Sequence, residues 1–367
     1  NWPTHMIDEN KTVECSRVGV IDVGSNSVRL VVFDGAIRSP SYFYNEKVMA
    51  GLGLDLAQTG KLHPEGKERA FKALRRFHEI AERMDLNSLA AVATEAVRAA
   101  SDGPEFCQRV LDEIGIELVP ISGDQEANLS AQGVLLGWPK ASGLVCDIGG
   151  ASMELASLEV GDVKKTRSSK LGPMAVLGRF DDAEAQSVYL TNGLQELTEG
   201  FDLNVDTVFL VGGSWRAMAQ IHMQRTNYPL RVLHDYVVSP SAFLDTLDFI
   251  ENHSPEVLQE KTGMNSSRAR LLPMAAQTLR GLLALVDVQE IAFSSYGLRE
   301  GLMYENMPES VRISDPLIAA ARAIELGQAR FPGFGDLLFN WIQPLFTTLD
   351  GSVKRLIHAA CLLHDVH

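Results

Sequence analysis

Val18-Gly19-Val20-Ile21 and Leu30-Val31-Val32-Phe33 are short apolar runs separated by Asp22-Val23 and the polar stretch Gly24-Ser25-Asn26-Ser27. Runs of this length, broken by a glycine-bearing polar stretch, predict strand, tight turn and strand, so residues 18–34 are read as a hairpin. Lys47-Val48-Met49 continues the sheet. After Pro64 the rhythm changes: Phe71, Leu74, Phe77, Ala81 and Met84 recur at helical spacing, with Lys72, Arg75, Arg76 and Glu79 off the stripe. Leu89 to Ala93 reads as a buried strand ending at Thr94. A helix follows from Ser101 and Pro104 to its stop at Gly115, then a strand from Glu117 to Ile121. Ser122-Gly123-Asp124 caps a helix containing Glu126, Leu129 and Val134.

A second unit opens near Ala141 and repeats the hairpin. Asp22-Val23-Gly24-Ser25-Asn26-Ser27-Val28-Arg29-Leu30 aligns with Asp147-Ile148-Gly149-Gly150-Ala151-Ser152-Met153-Glu154-Leu155, with the Asp, first Gly, Ser and final Leu identical. Further strands are expected at Thr207–Val211 and Glu290–Ser294, and a helix from Trp215 after Gly212-Gly213-Ser214. Strands alternating with helices predict α/β sheets covered by helices. From Pro316 the rhythm is helical only, and Leu356 to Val366 reads as an apolar helix still running where the chain stops.

The 367 residues suffice for two or three domains, with 46% hydrophobic and 22% charged residues, as in soluble globular proteins. No apolar run is long enough to span a bilayer, and Asn1 to Arg17 has no signal-peptide core. Cys15, Cys107, Cys146 and Cys361 fit neither a disulfide framework nor a zinc pattern, which points to a cytoplasmic protein with reduced thiols. A net charge of −14 argues against nucleic-acid binding. Within residues 163–180, however, Lys164, Lys165, Arg167, Lys170 and Arg179 include no intervening Asp or Glu. This strip reads equally well as a local anion guide or as a solvated strand edge.

Glycine after a strand-terminal Asp permits a sharp turn with positive φ, and the following N–H groups can converge on an anion. Ser25, Asn26 and Ser27 add side-chain donors in the first copy and Ser152 in the second. Asp147 and Glu154, seven residues apart across a hairpin turn, are placed to share a hard cation such as Mg²⁺. Asp147 and Asp22 both lie inside apolar strands, where a carboxylate needs a partner or a metal. Arg98 follows a buried strand and is either a bidentate phosphate clamp or a surface ion pair. Glu126 is either a first-turn acid complementing the helix dipole or a base for an attacking water.

These motifs, in this order over roughly residues 18–305, resemble the exopolyphosphatase/guanosine pentaphosphate phosphohydrolase family of the acetate kinase–sugar kinase–heat-shock–actin superfold. The hallmarks are Asp22 to Ser27, Ala93-Thr94 through Arg98, Ser122-Gly123 through Glu126-Ala127, Asp147 to Glu154, Val211-Gly212-Gly213 and Gly297-Leu298-Arg299-Glu300-Gly301. The resemblance implies two RNase H-like domains around a cleft, at 1–138 and 139–305, and the start of an all-α HD-like domain at 306–367. It implies Glu126 as general base and Arg98 as phosphate clamp. Asp147, Glu154 and Asp22 would bind Mg²⁺. The phosphate cradle would comprise Gly24, Ser25, Asn26, Ser27, Gly149, Gly150, Ala151, Ser152, Gly212 and Gly213. Ala151 departs from the family's usual glycine, Arg299 is read as bracing the end of the second domain, and His358, His364 and His367 are read as a helix end rather than a metal site. The implied activity is release of terminal orthophosphate from inorganic polyphosphate, the alternative being hydrolysis of guanosine pentaphosphate to the tetraphosphate. A sugar or carboxylate kinase and a non-catalytic nucleotide-binding regulator are the readings from other classes. A homodimer without nucleic-acid or membrane partners is also implied.

Overall fold

The computed structural model of the protein describes residues 17–35 and 37–366. Most of the N-terminal stretch read for a leader, Cys15 and His367 lie outside the described residues. The first sheet contains β1 (Val18–Val23), β2 (Ser27–Phe33), β3 (Tyr42–Met49), β4 (Ser88–Ala93) and β5 (Val119–Pro120), in the order β3-β2-β1-β4-β5. The second contains β6 (Gly143–Ile148), β7 (Met153–Glu159), β8 (Asp162–Ser169), β9 (Asn204–Val211), β10 (Tyr236–Val238) and β11 (Asp287–Phe293). Its order is β10-β11-β9-β6-β7-β8. Removing β10 leaves the topology of the first sheet: an antiparallel meander of three strands, then two strands added in parallel. The sequence repeat is therefore a repeat of architecture, and the chain has the actin-like arrangement of two RNase H-like units followed by helices.

Local sequence accounts for most of these elements. The helix Pro64–Arg83 buries Ala70, Phe71, Leu74, Phe77 and Ala81 on the first sheet, the stripe that the spacing predicts. Full burial of a side chain such as Phe77 contributes on the order of 2–3 kcal/mol. The helix Gly103–Ile114 stops at Gly115, which takes the left-handed conformation. The strand expected from Glu117 to Ile121 shrinks to Val119–Pro120, with Ile121 N–H still donating to the Ala93 carbonyl at 3.0 Å. The short strand Tyr236–Val238, the basic strand β8 and the helices Pro173–Arg179, Ala183–Thr198, Pro240–Glu251 and Ser266–Leu285 complete the second half.

The two sheets share a core. Val20, Val31, Phe33 and Val92 from the first meet Val145, Ala156, Phe209 and Ala292 from the second through the helices Gly123–Gly137 and Leu298–Glu305. These helices cross at backbone contact: a Cβ on Gly301 would lie 1.8 Å from the carbonyl oxygen of Leu129, and one on Gly133 would lie 2.3 Å from that of Gly297. Beyond them, the helices Pro316–Gln328, Phe334–Ile342 and Gly351–Leu363 pack around Ala321, Ala359 and Leu362. Among the described residues, no helix is long and apolar enough to cross a membrane.

Candidate active site

Both acidic turns are built alike. Gly24 N–H donates to the Ser27 carbonyl at 2.9 Å, and Gly149 N–H donates to the Ser152 carbonyl at 3.0 Å. Neither glycine adopts positive φ, contrary to expectation, nor does Gly150. The hydrogen bond across the turn closes it with ordinary backbone angles. The left-handed φ at this site belongs to Gly212, at 120°, where a Cβ would stand 2.6 Å from the Ile148 carbonyl and 3.1 Å from Asp147 Oδ1. The N–H groups of Ser25, Asn26, Gly150 and Ala151 donate to no acceptor among the described residues, which leaves them available to an anion.

The turns face each other. A Cβ on Gly150 would lie 3.6 Å from Ser25 Cβ, so the first and second copies meet across one crevice. Ser25 is anchored by Gly53 N–H to its carbonyl at 2.7 Å, and Gly150 by Met174 N–H at 2.8 Å. The crevice opens into a cavity of about 600 Å³ lined by Asp22, Gly24, Ser25, Asn26, Ser27, Glu126, Asp147, Gly149, Gly150, Ser152, Gly212 and Gly213, among others. Three expected site residues, Arg98, Ala151 and Glu154, are outside that lining.

Glu126 reaches the cavity from the first turn of its helix. Ser122 starts that helix with a reciprocal cap: its Oγ accepts from Gln125 N–H at 3.1 Å, and its own N–H donates to Gln125 Oε1 at 2.8 Å. Glu126 is 8% exposed, and its Oε2 is buried without a hydrogen-bond partner. Burial, then the neighbouring Glu154 and Asp147, push its carboxyl well above the ordinary carboxylate range, and Arg98 opposes them. Arg98 Nη1 lies 3.5 Å from Glu126 Oε2 and also donates to the Ile121 carbonyl, while Nη2 donates to Glu95. Arg98 is thus beside the expected base, engaged with two carboxylates and a carbonyl rather than presented to the cavity.

Asp147 and Glu154 are directly opposed partners of β6 and β7, as the seven-residue spacing implies. Glu154 is 2% exposed and accepts from Ser168 Oγ at 2.9 Å; burial and then Asp147 push its carboxyl up to about 8. Burial likewise raises Asp147 and Asp22. Glu154 and the half-buried Asp147 opposite it form a pair of hard-oxygen donors that suits a divalent cation. Asp22 does not join them: among the described residues, no three acidic, histidine or cysteine side chains are grouped closely enough to hold an ion. Its charge is offset instead by Arg299 and Arg29.

Five cations line the cavity wall that were not expected as site residues: Arg29, Lys47, Arg216, Arg268 and Arg299. None makes a carboxylate ion pair among the described residues. Burial and then their mutual repulsion depress Lys47 to about 8. Arg29 carried a signal, since it is the counterpart of Glu154 in the repeat and pairs with Asp22 across β1 and β2. Arg299, read as a structural brace, lines the cavity, while the following Glu300 does the bracing by accepting from Gly297 N–H and Tyr42 OH, each at 2.8 Å. Lys47, Arg216 and Arg268 come from segments with no shared motif.

The basic strip is elsewhere. Lys164, Lys165 and Arg167 ride on the edge strand β8 and serve Asp162, the Glu199 carbonyl and the Glu196 carbonyl; Lys170 stands 3.9 Å from Glu95. None of these residues lines the cavity, so the strand-edge alternative describes them. In the C-terminal helices, His358 contacts Asp336 at 2.8 Å, His364 the Cys361 carbonyl at 2.7 Å, and Asp365 accepts from Arg330 at 3.0 Å. His358 and His364 are each committed to helix packing.

Comparison with known proteins agrees with this construction. A guanosine-5'-triphosphate,3'-diphosphate pyrophosphatase of Vibrio cholerae is 25% identical over 97% of this chain and 74% of its own length. Exopolyphosphatase 1 of Mycobacterium tuberculosis is 24% identical over 79% of this chain and 88% of its own. The crystal structure of an exopolyphosphatase from Cytophaga hutchinsonii superposes with a TM-score of 0.72 at 25% identity, covering 78% of this chain and 96% of that one. The family model described as the Ppx/GppA phosphatase family matches residues 31–310, a span that holds the second of the facing turns, the Glu126 helix and the glycine crossing. The duplicated sheets and the crevice between them thus place the chain in the Ppx/GppA phosphatase family, a family of phosphohydrolases.

Proposed function

We propose that the protein removes terminal orthophosphate from inorganic polyphosphate. The observation that carries this reading is the single cavity in which the two turns, Glu126 and five cations without a carboxylate ion pair among the described residues meet. A long polyanion needs a run of fixed positive charge beyond the reacting group, and the wall from Arg29 to Arg268 supplies it. The free N–H groups of Ser25, Asn26, Gly150 and Ala151 cradle phosphoryl oxygens, with the hydroxyls of Ser27 and Ser152 and the amide of Asn26 beside them. Gly212 and Gly213 let the third segment approach closely.

Water attacks the terminal phosphorus; the new P–O bond forms as the bridging anhydride bond breaks, and the departing chain keeps the electron pair. Glu126 takes the proton released by the water. Arg98 holds that carboxylate and biases it toward the ionised form. Asp147 and Glu154, with substrate oxygens, would hold Mg²⁺, which supplies charge neutralisation at the phosphoryl group. Asp22 flanks this site from the opposite sheet.

Hydrolysis of guanosine pentaphosphate is the second reading, favoured by the Vibrio cholerae relative that matches nearly the whole chain. Both substrates present a terminal phosphoanhydride to the same cradle. The free thiols Cys107, Cys146 and Cys361 support a cytoplasmic site of action, and a homodimer completes the proposal. Orthophosphate release with Mg²⁺ tests the function. A kcat/KM for polyphosphate above that for guanosine pentaphosphate is expected; the reverse ratio makes the nucleotide the substrate, and no release from either rejects both.

A further inference from the structure

Ser130 belongs to none of the motifs above, yet it is completely buried and its Oγ donates a short hydrogen bond to Asp147 Oδ2. It lies four residues after Glu126 in the helix Gly123–Gly137, hence on the same face one turn further along. One helix therefore carries the base and grips the carboxylate at the end of β6. The two oxygens of Asp147 are not equivalent. Oδ2 is taken by Ser130, whereas Oδ1 lies toward the Gly212 turn, 3.1 Å from where a Gly212 side chain would begin. A carboxylate with one oxygen on a fixed donor cannot rotate without losing that bond, so the other oxygen keeps its direction. Glu154 receives a comparable hydrogen bond from Ser168, a residue of the edge strand β8 that packs against Gly123 at the start of the same helix, whereas Ser130 belongs to that helix itself. The glycine crossing with Leu298–Glu305 prevents the base helix from sliding, so the donor itself is held in place.

We infer that Ser130 is a positioning residue: it selects the oxygen of Asp147 that faces the cavity and ties that carboxylate to the helix bearing Glu126. This rests on the phosphohydrolase reading, from which Asp147 and Glu126 take their roles. A hydroxyl that merely filled a polar gap would affect folding and leave metal affinity and turnover alone.

Ser130→Ala and Ser130→Thr in the full chain separate these cases. Mg²⁺ binding is read by calorimetry on chelator-treated protein without substrate, alongside kcat and KM for polyphosphate and a thermal melt. Ser130→Ala is expected to weaken Mg²⁺ binding by about 10–100-fold and to lower kcat by a similar factor, the effect usual for a lost partner of a ligating group. KM is expected to stay within a few-fold, and Ser130→Thr, which keeps the hydroxyl, to recover most of both losses. An active wild type with Ser130→Ala equal to it in Mg²⁺ affinity and kcat overturns the inference, even if the variant melts earlier. A wild type that releases no orthophosphate from either substrate overturns the phosphohydrolase reading, and Mg²⁺ affinity unchanged by Ser130→Ala would then remove Ser130's role too.

Discussion

Glu126 and Glu154 are buried, and Asp22 and Asp147 half-buried, in and beside one cavity, and lost solvation raises all four carboxyls. With the roles proposed above, their protonation is expected to affect both turnover and stability. As the proposed base, Glu126 must be ionised to accept a proton, so kcat is expected to rise with pH along a limb that lies above the ordinary carboxylate range. Arg98 opposes the upward shift, and Arg98→Gln is expected to move that limb higher still; a limb that stays put means Arg98 does not act on Glu126. Glu126→Gln is expected to lower kcat by about 10²-fold or more with KM little changed, and full turnover in that variant removes Glu126 from the base role. Glu154, held near 8 when folded and near the usual carboxylate value when unfolded, keeps a proton in the native state that the unfolded chain has lost. Stability of the metal-free protein accordingly falls as pH rises from about 4.5 to about 8. Thermal melts in chelator across that window are expected to show the decline, and Glu154→Gln to flatten it; an equal slope in both proteins argues against the assignment.

Elements bring these side chains within reach of one another, and the crossing of Gly123–Gly137 with Leu298–Glu305 is the most constrained contact. Gly301 and Gly133 are there because the other helix's backbone occupies the space a Cβ would need. Gly301→Ala forces the helices apart, with an expected loss of about 3 kcal/mol, at the upper end of overpacking effects. Denaturant unfolding measures this, and a loss below the range typical of core changes would mean that the crossing yields easily. Since one helix carries Glu126 and Ser130 and the other Arg299, separation is also expected to lower kcat in whatever fraction still folds.

Over the entire fold, charge is divided by place rather than by amount. The chain carries a net −14, yet one cavity holds five cations with no carboxylate ion pair among the described residues. Capture of a polyanion by such a cavity weakens with salt as the Debye length shrinks from about 30 Å at 0.01 M to about 8 Å at 0.15 M. The kcat/KM for polyphosphate is expected to drop over that range with kcat nearly constant. Arg268→Ala and Lys47→Ala are expected to raise KM and flatten the salt dependence, whereas Lys164→Ala and Lys165→Ala on β8 are expected to leave both alone. The opposite ranking would return the anion path to the basic strip.

Much of this was legible in the chain because it is local. The hairpin periodicity, the Phe71–Phe77 stripe, the Ser122 cap and the Gly115 stop each depend on residues within a turn or two, and the repeat of Asp22 to Leu30 at Asp147 to Leu155 announces the doubled sheet without any coordinates. The seven-residue spacing of Asp147 and Glu154 likewise becomes a cross-strand pair by hairpin geometry alone. The cationic wall was hidden because Lys47, Arg216 and Arg268 come from a strand and two helices that meet only when both sheets close on their shared core. Positive φ at Gly24 and Gly149 was the wrong expectation because the hydrogen bond that closes each turn depends on a carbonyl three residues on, not on glycine's freedom. Local patterns follow from backbone geometry, which acts over a few residues. Which charges face the same cavity follows from packing between distant segments, and no short window of sequence contains that information.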